Sequence, residues 1–433
     1  MTRAGEGTLS GLARTAATKA LRIVVLAAVV AWVPACSAMS ADYVMPLVWH
    51  VESDDGRVID SSHPDQAINP ASVTKLATSL RALETLGAEH RFTTTFAVAP
   101  VGGSGKGAVS LVVDGGADPD FHFENAILVA KALGEAGLER VHGDLFVGAT
   151  FWIGWERGTV GREPDAAKRR LDMGQRLEAA WNPARWSAED REAWNQIASR
   201  RHWESARPPS VVIDGRVRID DPPPWHPVVV HRSEPLLVAL RRFNVFSNND
   251  IERLDSSIGP ASGLKDFLVQ AVGPEASVTS FETSSGLNRN RITPRLVVKL
   301  LRSLRSWLAV HGKSPSDVMP VLGCGTSTLS ELFPKLVASG EAAGLVGKTG
   351  TLNLEDGGVS ALAGFFAGGP GLVFFVAAPG SGAELPRARI VEEEWVHRVL
   401  LKQGAAGPLV CPAPVPTSDE LAQVERVADE TSH

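Results

Sequence analysis

Cysteine is scarce: Cys36, Cys324 and Cys411 are the only three in 433 residues. No two form a Cys-x-x-Cys pair, and no His/Cys cluster has zinc spacing. A zinc module and a dithiol redox centre are therefore excluded, and no metal or other cofactor is expected. Tyrosine occurs once, at Tyr43. Long apolar runs are missing beyond Ala35, so no internal stretch could span a bilayer. Dense Lys/Arg clusters beside aromatics are missing too, and the net charge is -6. Nucleic acid is set aside as a partner.

What is present is an ordinary globular composition, 44% hydrophobic and 21% charged. The length suits two to three domains of roughly 150 residues each. Arg3, Arg14, Lys19 and Arg22 precede the apolar run Ile23–Ala35, and small residues follow. That order reads as an export leader over residues 1–38, either a signal peptide or a lipoprotein leader lipidated on Cys36. Val33-Pro34-Ala35-Cys36 resembles a lipoprotein box, although Pro34 is atypical there. The protein is then expected in the periplasm or cell envelope, unattached if the leader is a cleaved signal peptide and held by a lipid on Cys36 if it is the lipoprotein kind. Cys324 and Cys411 could pair in such an oxidising compartment. The Pro-rich setting of Cys411 favours two unlinked thiols.

Further along, Leu47–Val58 alternates around Asp55-Gly56, a hairpin signal. Asn69-Pro70-Ala71-Ser72 opens a helix whose Leu76, Leu80 and Leu83 share one face, with Gly87 as its stop. A region of different character follows, dense in tryptophan between Asp165 and Ser205 (Trp181, Trp186, Trp194, Trp203) and closed by Pro222-Pro223-Pro224. Core packing is the favoured role of these indoles, with stacking on sugar rings as the alternative. Leu345–Leu352, Val359–Ala367 and Leu372–Ala378 read as strands, with a tight turn at Gly368-Gly369-Pro370-Gly371, and Ala388–Leu401 reads as a final helix. Residues 41–93 and 229–405 are assigned to one catalytic domain, 94–228 to an inserted domain and 406–433 to a disordered tail.

Three short strings carry the chemistry: Ser72-Val73-Thr74-Lys75, Ser247-Asn248-Asn249 and Lys348-Thr349-Gly350. They form the ordered S-x-x-K, S-x-N, K-T-G set of penicillin-interacting serine enzymes. Positions three apart share a helix face, so the Lys75 amine can reach the Ser72 hydroxyl. That hydroxyl is a weak nucleophile and needs a base. Lys75 serves only if burial, or a second cation such as Lys348, lowers its pKa. Ser247 can relay a proton to the leaving group, and Asn249 can bond the substrate amide and Lys75. On an edge strand, Lys348, Thr349 and Thr351 would face a carboxylate. Gly350 lets a substrate backbone lie close, and the N–H groups of Ser72 and Thr351 would form an oxyanion hole. A second copy, Ser262-Gly263-Leu264-Lys265, comes after the S-x-N string and is rejected on order. A phosphate-binding loop at Gly347-Lys348-Thr349 would need glycine where Ala342 stands.

The set is similar to the low-molecular-mass penicillin-binding proteins of the D-Ala-D-Ala carboxypeptidase/endopeptidase family. Ile68–Leu76 resembles that family's nucleophile segment, Gly115–Pro119 a turn in its insertion, and His231–Pro235 its entry to the second motif. Ser285-Gly286-Leu287 through Thr293-Pro294, and Gly347–Gly364, resemble further signatures. The resemblance implies an α/β (α+β) fold, β-lactamase/transpeptidase-like, whose antiparallel sheet is covered by helices. It also implies Ser72 attack on the penultimate D-Ala of peptidoglycan stem peptides, and inhibition by β-lactam antibiotics. One departure is Val245, where the family carries a lysine, and another is the poor fit of residues 165–205.

Two other functions compete. A β-lactamase would need a Glu-x-x-Leu-Asn string after Ser247, or a tyrosine in place of Ser247, and neither is present. A catalytically weak envelope binding protein of the same fold would explain Val245, but every directly acting side chain remains. A serine carboxypeptidase/endopeptidase is the favoured reading.

Overall fold

The computed structural model describes residues 45–101, 108–154, 163–203, 207–366, 371–405 and 407–427. The leader with Cys36, and Gly368-Gly369-Pro370 of the tight turn, lie outside the described residues. Strands run in chain order as β1 (Val48–Ser53), β2 (Val58–Ser62), β3 (Thr93–Pro100), β4 (Val109–Asp114), β5 (Arg140–Val141), β6 (Leu145–Val147), β7 (Val212–Ile213), β8 (Val217–Arg218), β9 (His226–Arg232), β10 (Leu345–Leu352), β11 (Val359–Phe366), β12 (Leu372–Pro379) and β13 (Gln423–Arg426). The longer helices are α1 (Lys75–Leu86), α2 (Phe123–Glu135), α3 (Ala166–Ala180), α4 (Ala188–Arg200), α5 (Leu236–Val245), α6 (Leu264–Val272), α7 (Pro294–Val310) and α8 (Leu385–Trp395).

The first sheet has the order β10-β11-β12-β1-β2, and every pairing in it is antiparallel. Side chains alternate across a strand, so β12 feeds two layers. Val373, Phe375 and Ala377 join Leu76, Leu80, Leu240, Leu264 and Leu301 in the main core, beneath helices α1, α5, α6 and α7. Phe374 turns the other way and meets Trp395 of α8, 5.8 Å between ring centroids. The final helix therefore covers the sheet's outer face, and its last stretch widens into a π turn at Val396–Leu400. This is the helix-covered antiparallel sheet of a transpeptidase-like fold. Strand β10 is the edge on one side, and Val321 bridges it at Val346, just before Lys348.

The second sheet has the order β13-β9-β3-β4-β6-β8, and β5 pairs β7 beside it. Its own core gathers Phe96, Leu111, Phe121, Val129, Leu177 and Trp181. Here the tryptophans find their places. Trp181, Trp186 and Trp194 are buried, and the first two indoles donate to Ala126 O and Ala180 O at 2.9 and 2.8 Å. Buried, bonded rings cannot stack on a sugar. Of these four, Trp203 is the one that remains partly exposed.

Two expectations need correction. The stretch beyond residue 405 is not a disordered tail where it is described. Strand β13 pairs β9, Asp419 is fully buried against Arg200 at 3.1 Å, and Ser418 donates to Asn125 at 2.6 Å. Composition suggested disorder because the stretch is Pro-rich and acidic. Strand pairing and buried ion pairs anchor them instead. The cysteines are likewise not two unlinked thiols, since Cys324 and Cys411 form a disulfide. Replacing both with serine is expected to cost about 2–4 kcal/mol of stability, seen as a lower melting temperature. A melting point unchanged from the oxidised protein would show that the bond is idle.

Candidate active site

The segment around Ser72 is set from both sides. Asn69 Oδ1 accepts from Ala71 N at 3.0 Å, and its Nδ2 donates to Asn288 O at 2.6 Å. Ala71 is driven to a positive φ of 49°, a strained conformation for a residue with a side chain. Residues Ala71–Thr74 then form a 3-10 turn leading into α1. In that tighter winding, positions i and i+3 eclipse, so Ser72 and Lys75 align. Lys75 Nζ donates to Ser72 Oγ at 3.0 Å, to Asn249 Oδ1 at 2.9 Å and to Ser285 O at 2.8 Å. Gly286 is required beside them, because a Cβ there would lie 1.9 Å from Ala71 O and 2.8 Å from Ser72 N.

The middle motif follows α5, which is tied to α1 by Asn244 Nδ2 donating to Ser79 Oγ at 3.1 Å. Ser247 takes a positive φ of 54°. Its Oγ accepts from Lys348 Nζ at 3.0 Å. Asn249 begins a second 3-10 turn, Asn249–Leu254, so Asn249 and Glu252 also eclipse. The third motif lies on edge strand β10, where Lys348 pairs with Ala363 and Gly350 with Ala361 of β11. A Cβ at Gly350 would meet Pro70 O at 2.5 Å, so this glycine seats the strand against the nucleophile turn. Thr349 Oγ1 donates to Thr328 Oγ1 at 3.1 Å, and Thr351 Oγ1 accepts from Arg389 at 3.4 Å.

Both amines are fully buried, while Ser72, Ser247 and Thr351 keep partial exposure. Burial lowers Lys75 to about 7, with Glu252 and Asp250 opposing the shift. Burial, then the Lys75 charge, holds Lys348 well below its ordinary value. A solvent-reachable hydroxyl beside an amine that can lose its proton near neutrality is the arrangement a serine nucleophile needs.

Sequence reasoning missed several neighbours. Glu252 Oε1 accepts from Ser285 Oγ at 2.5 Å, and its spacing of three from Asn249 was the available signal. Thr328 joins Thr349 to the Val245 carbonyl, donating to it at 3.2 Å. Arg389 gave no signal, because only the packing of α8 brings it to Thr351. Val245 is 5% exposed, so the position where the resemblance implies a lysine is apolar and closed. Ser262 and Lys265 of the second S-x-x-K copy are exposed. Among the described residues, no group of three or more His, Cys, Asp or Glu side chains could hold a metal ion, and no helix is long and apolar enough to cross a membrane.

Paired serine and lysine side chains at the edge of a helix-covered antiparallel sheet place the protein in the penicillin-binding, transpeptidase-like class. Residues 43–167 and 210–397 match the D-Ala-D-Ala carboxypeptidase 3 (S13) family, and the chain belongs to that family. A D-alanyl-D-alanine carboxypeptidase from an Actinomadura species is 33% identical over 107 residues, covering 25% of this chain and 20% of that protein. The match thus spans about a fifth of that relative's length. A predatory endopeptidase from Bdellovibrio bacteriovorus, solved with an immunity protein, has a TM-score of 0.69 at 19% identity and covers 88% of this chain and 100% of that one. A Bdellovibrio endopeptidase acylated by penicillin G has a TM-score of 0.68 at 19% identity, covering 89% and 100%. Penicillin binding protein 4 from Haemophilus influenzae has a TM-score of 0.55 at 18% identity, covering 84% and 97%. At these identities the likeness is one of fold.

Proposed function

We propose that this chain is a serine D-Ala-D-Ala carboxypeptidase/endopeptidase of the cell envelope, acting on peptidoglycan stem peptides and inhibited by penicillin. The observation that carries the reading is the 3.0 Å contact between Ser72 Oγ and the buried Lys75 amine. Family membership supports it independently. Ser72 Oγ attacks the carbonyl of the penultimate D-Ala as its proton passes to Lys75. The N–H groups of Ser72 and Thr351 hold the resulting oxyanion. Collapse expels the terminal D-Ala amine, which takes a proton from Lys75 through Ser247 and leaves an acyl-enzyme. Water then hydrolyses that ester. Asn249 holds the substrate amide. Lys348, Thr349 and Thr351 hold its carboxylate, and that anion restores charge to an amine that burial has pushed toward neutrality. Export follows from the leader, which is either cleaved as a signal peptide or lipidated on Cys36.

The test is release of D-Ala from a stem pentapeptide, together with mass spectrometry of digested cell-wall fragments. D-Ala release or cleaved cross-links, with long-lived penicillin acylation, is the expected outcome. Rapid steady turnover of penicillin without D-Ala release would make the protein a β-lactamase. No labelling at all would make it a binding protein.

A further inference from the structure

The turn Asn249–Leu254 faces two ways. Asn249 and Glu252 look toward Lys75 and its neighbour Ser285. Arg253, 2% exposed, leaves the other side and enters the insert. Its Nη1 donates to Pro119 O at 3.1 Å, and its Nη2 donates to Gly154 O at 2.6 Å. The guanidinium lies 5.3 Å from the Trp152 ring centroid and 3.3 Å from Asp250 Oδ1. Pro119 follows β4 and Gly154 follows β6, so two separate loops of the second sheet grip one buried cation. A planar, five-donor guanidinium suits that task, and an ammonium cannot span it in the same way. Asp250 is the hinge between the two sides. It adjoins Asn249, its charge makes Lys75 more basic, and Arg253 lies against it.

We infer that Arg253 is a positioning residue through which the insert holds the Asn249 turn in register with Lys75. The inference rests on the peptidase reading and gives the insert a part in the chemistry. Several charged groups surround this contact, and Arg242 and Glu124 act on its insert side. Asp118 and His122 of the insert interact with Arg253 across the boundary, in addition to Asp250. Around Lys75 stand Asp250, Glu252 and, from β10, Lys348. Losing the guanidinium removes a positive charge 3.3 Å from Asp250, whose own charge raises Lys75. The amine then holds its proton to higher pH.

The test is the rate of acylation of the intact protein by a fluorescent penicillin from pH 5 to 9. Wild type, Arg253→Gln, Arg253→Lys and the double variant Arg253→Gln/Asp250→Asn are compared, with melting curves for each. Arg253→Gln is expected to slow acylation about 10- to 100-fold at neutral pH. It should also move the acidic limb of the profile upward by roughly one pH unit. Arg253→Lys should keep the limb in place while remaining slower than wild type, and the added Asp250→Asn should return the limb downward. A slower Arg253→Gln with an unmoved limb would reduce Arg253 to a packing role and overturn the inference, as would wild-type rates. Should Arg253→Gln fail to fold, Arg253→Lys decides alone: slower acylation at an unchanged melting temperature supports positioning, and a wild-type rate, or slowing that tracks a lower melting temperature, ends it. A wild-type protein that takes no penicillin defeats the peptidase reading and this inference together, whereas unaffected variants defeat the inference only.

Discussion

Ser72→Ala is expected to take up no covalent penicillin, a loss on the order of 10³-fold or more in acylation, while melting at the wild-type temperature. The structure makes this a sharp test, because it holds two serine–lysine contacts of the same length. Lys75 reaches Ser72 at 3.0 Å, and Lys348 reaches Ser247 at 3.0 Å. The first pair has the stronger claim to the nucleophile. Ser72 lies one turn before α1, where free N–H groups and the helix dipole favour a developing anion. Lys75 is held by Asn249 and Ser285 as well as by Ser72, so its amine is aimed. The backbone of the turn is shaped by Asn69, Gly286 and Gly350 rather than by the Ser72 side chain, so alanine should fold. Ser247→Ala should slow acylation without abolishing it. Peptide mapping of the labelled protein is the check, and label on Ser247 would reverse the two roles.

Penicillin acylation should fall about tenfold for each pH unit below roughly 7 and level off above it. The sign follows from Lys75. Burial lowers it to about 7, so below that pH the amine is protonated and cannot take the Ser72 proton. Above it the amine is neutral and competent. The expected loss between pH 7 and pH 5 is about 100-fold. A rate flat across pH 5 to 8 in a protein that stays folded would remove Lys75 as the base.

The catalytic half of the fold was largely legible. The hairpin, the Ser72 helix and the last three strands have strong local patterns, and each motif sits at an element boundary marked by glycine, proline or asparagine. What could not be read were features made by distant partners. The residues after 406 look unstructured by composition, yet Cys411 finds Cys324 across 87 positions. Their backbone is used by β9, a strand whose edge no local pattern announces. The site was legible as motifs but not as a network. Glu252 and Thr328 are ordinary polar residues until the turn at Asn249 and the short helix before β10 bring them to Lys75 and Thr349 respectively. Burial, one of the two causes expected, lowers Lys75, and burial together with its cationic neighbour lowers Lys348.

Strand β13 also settles how the second sheet ends. Without it, β9 would present the run His226-Pro227-Val228-Val229-Val230-His231-Arg232 as a bare margin, with amide and carbonyl groups ready to template another chain. The segment that covers it is short and carries Glu425 and Arg426, a poor template for further growth. Trimming the protein back before Gln423 would therefore first cost it colloidal good behaviour: molecules would zip together edge to edge while the chemistry at Ser72 persisted.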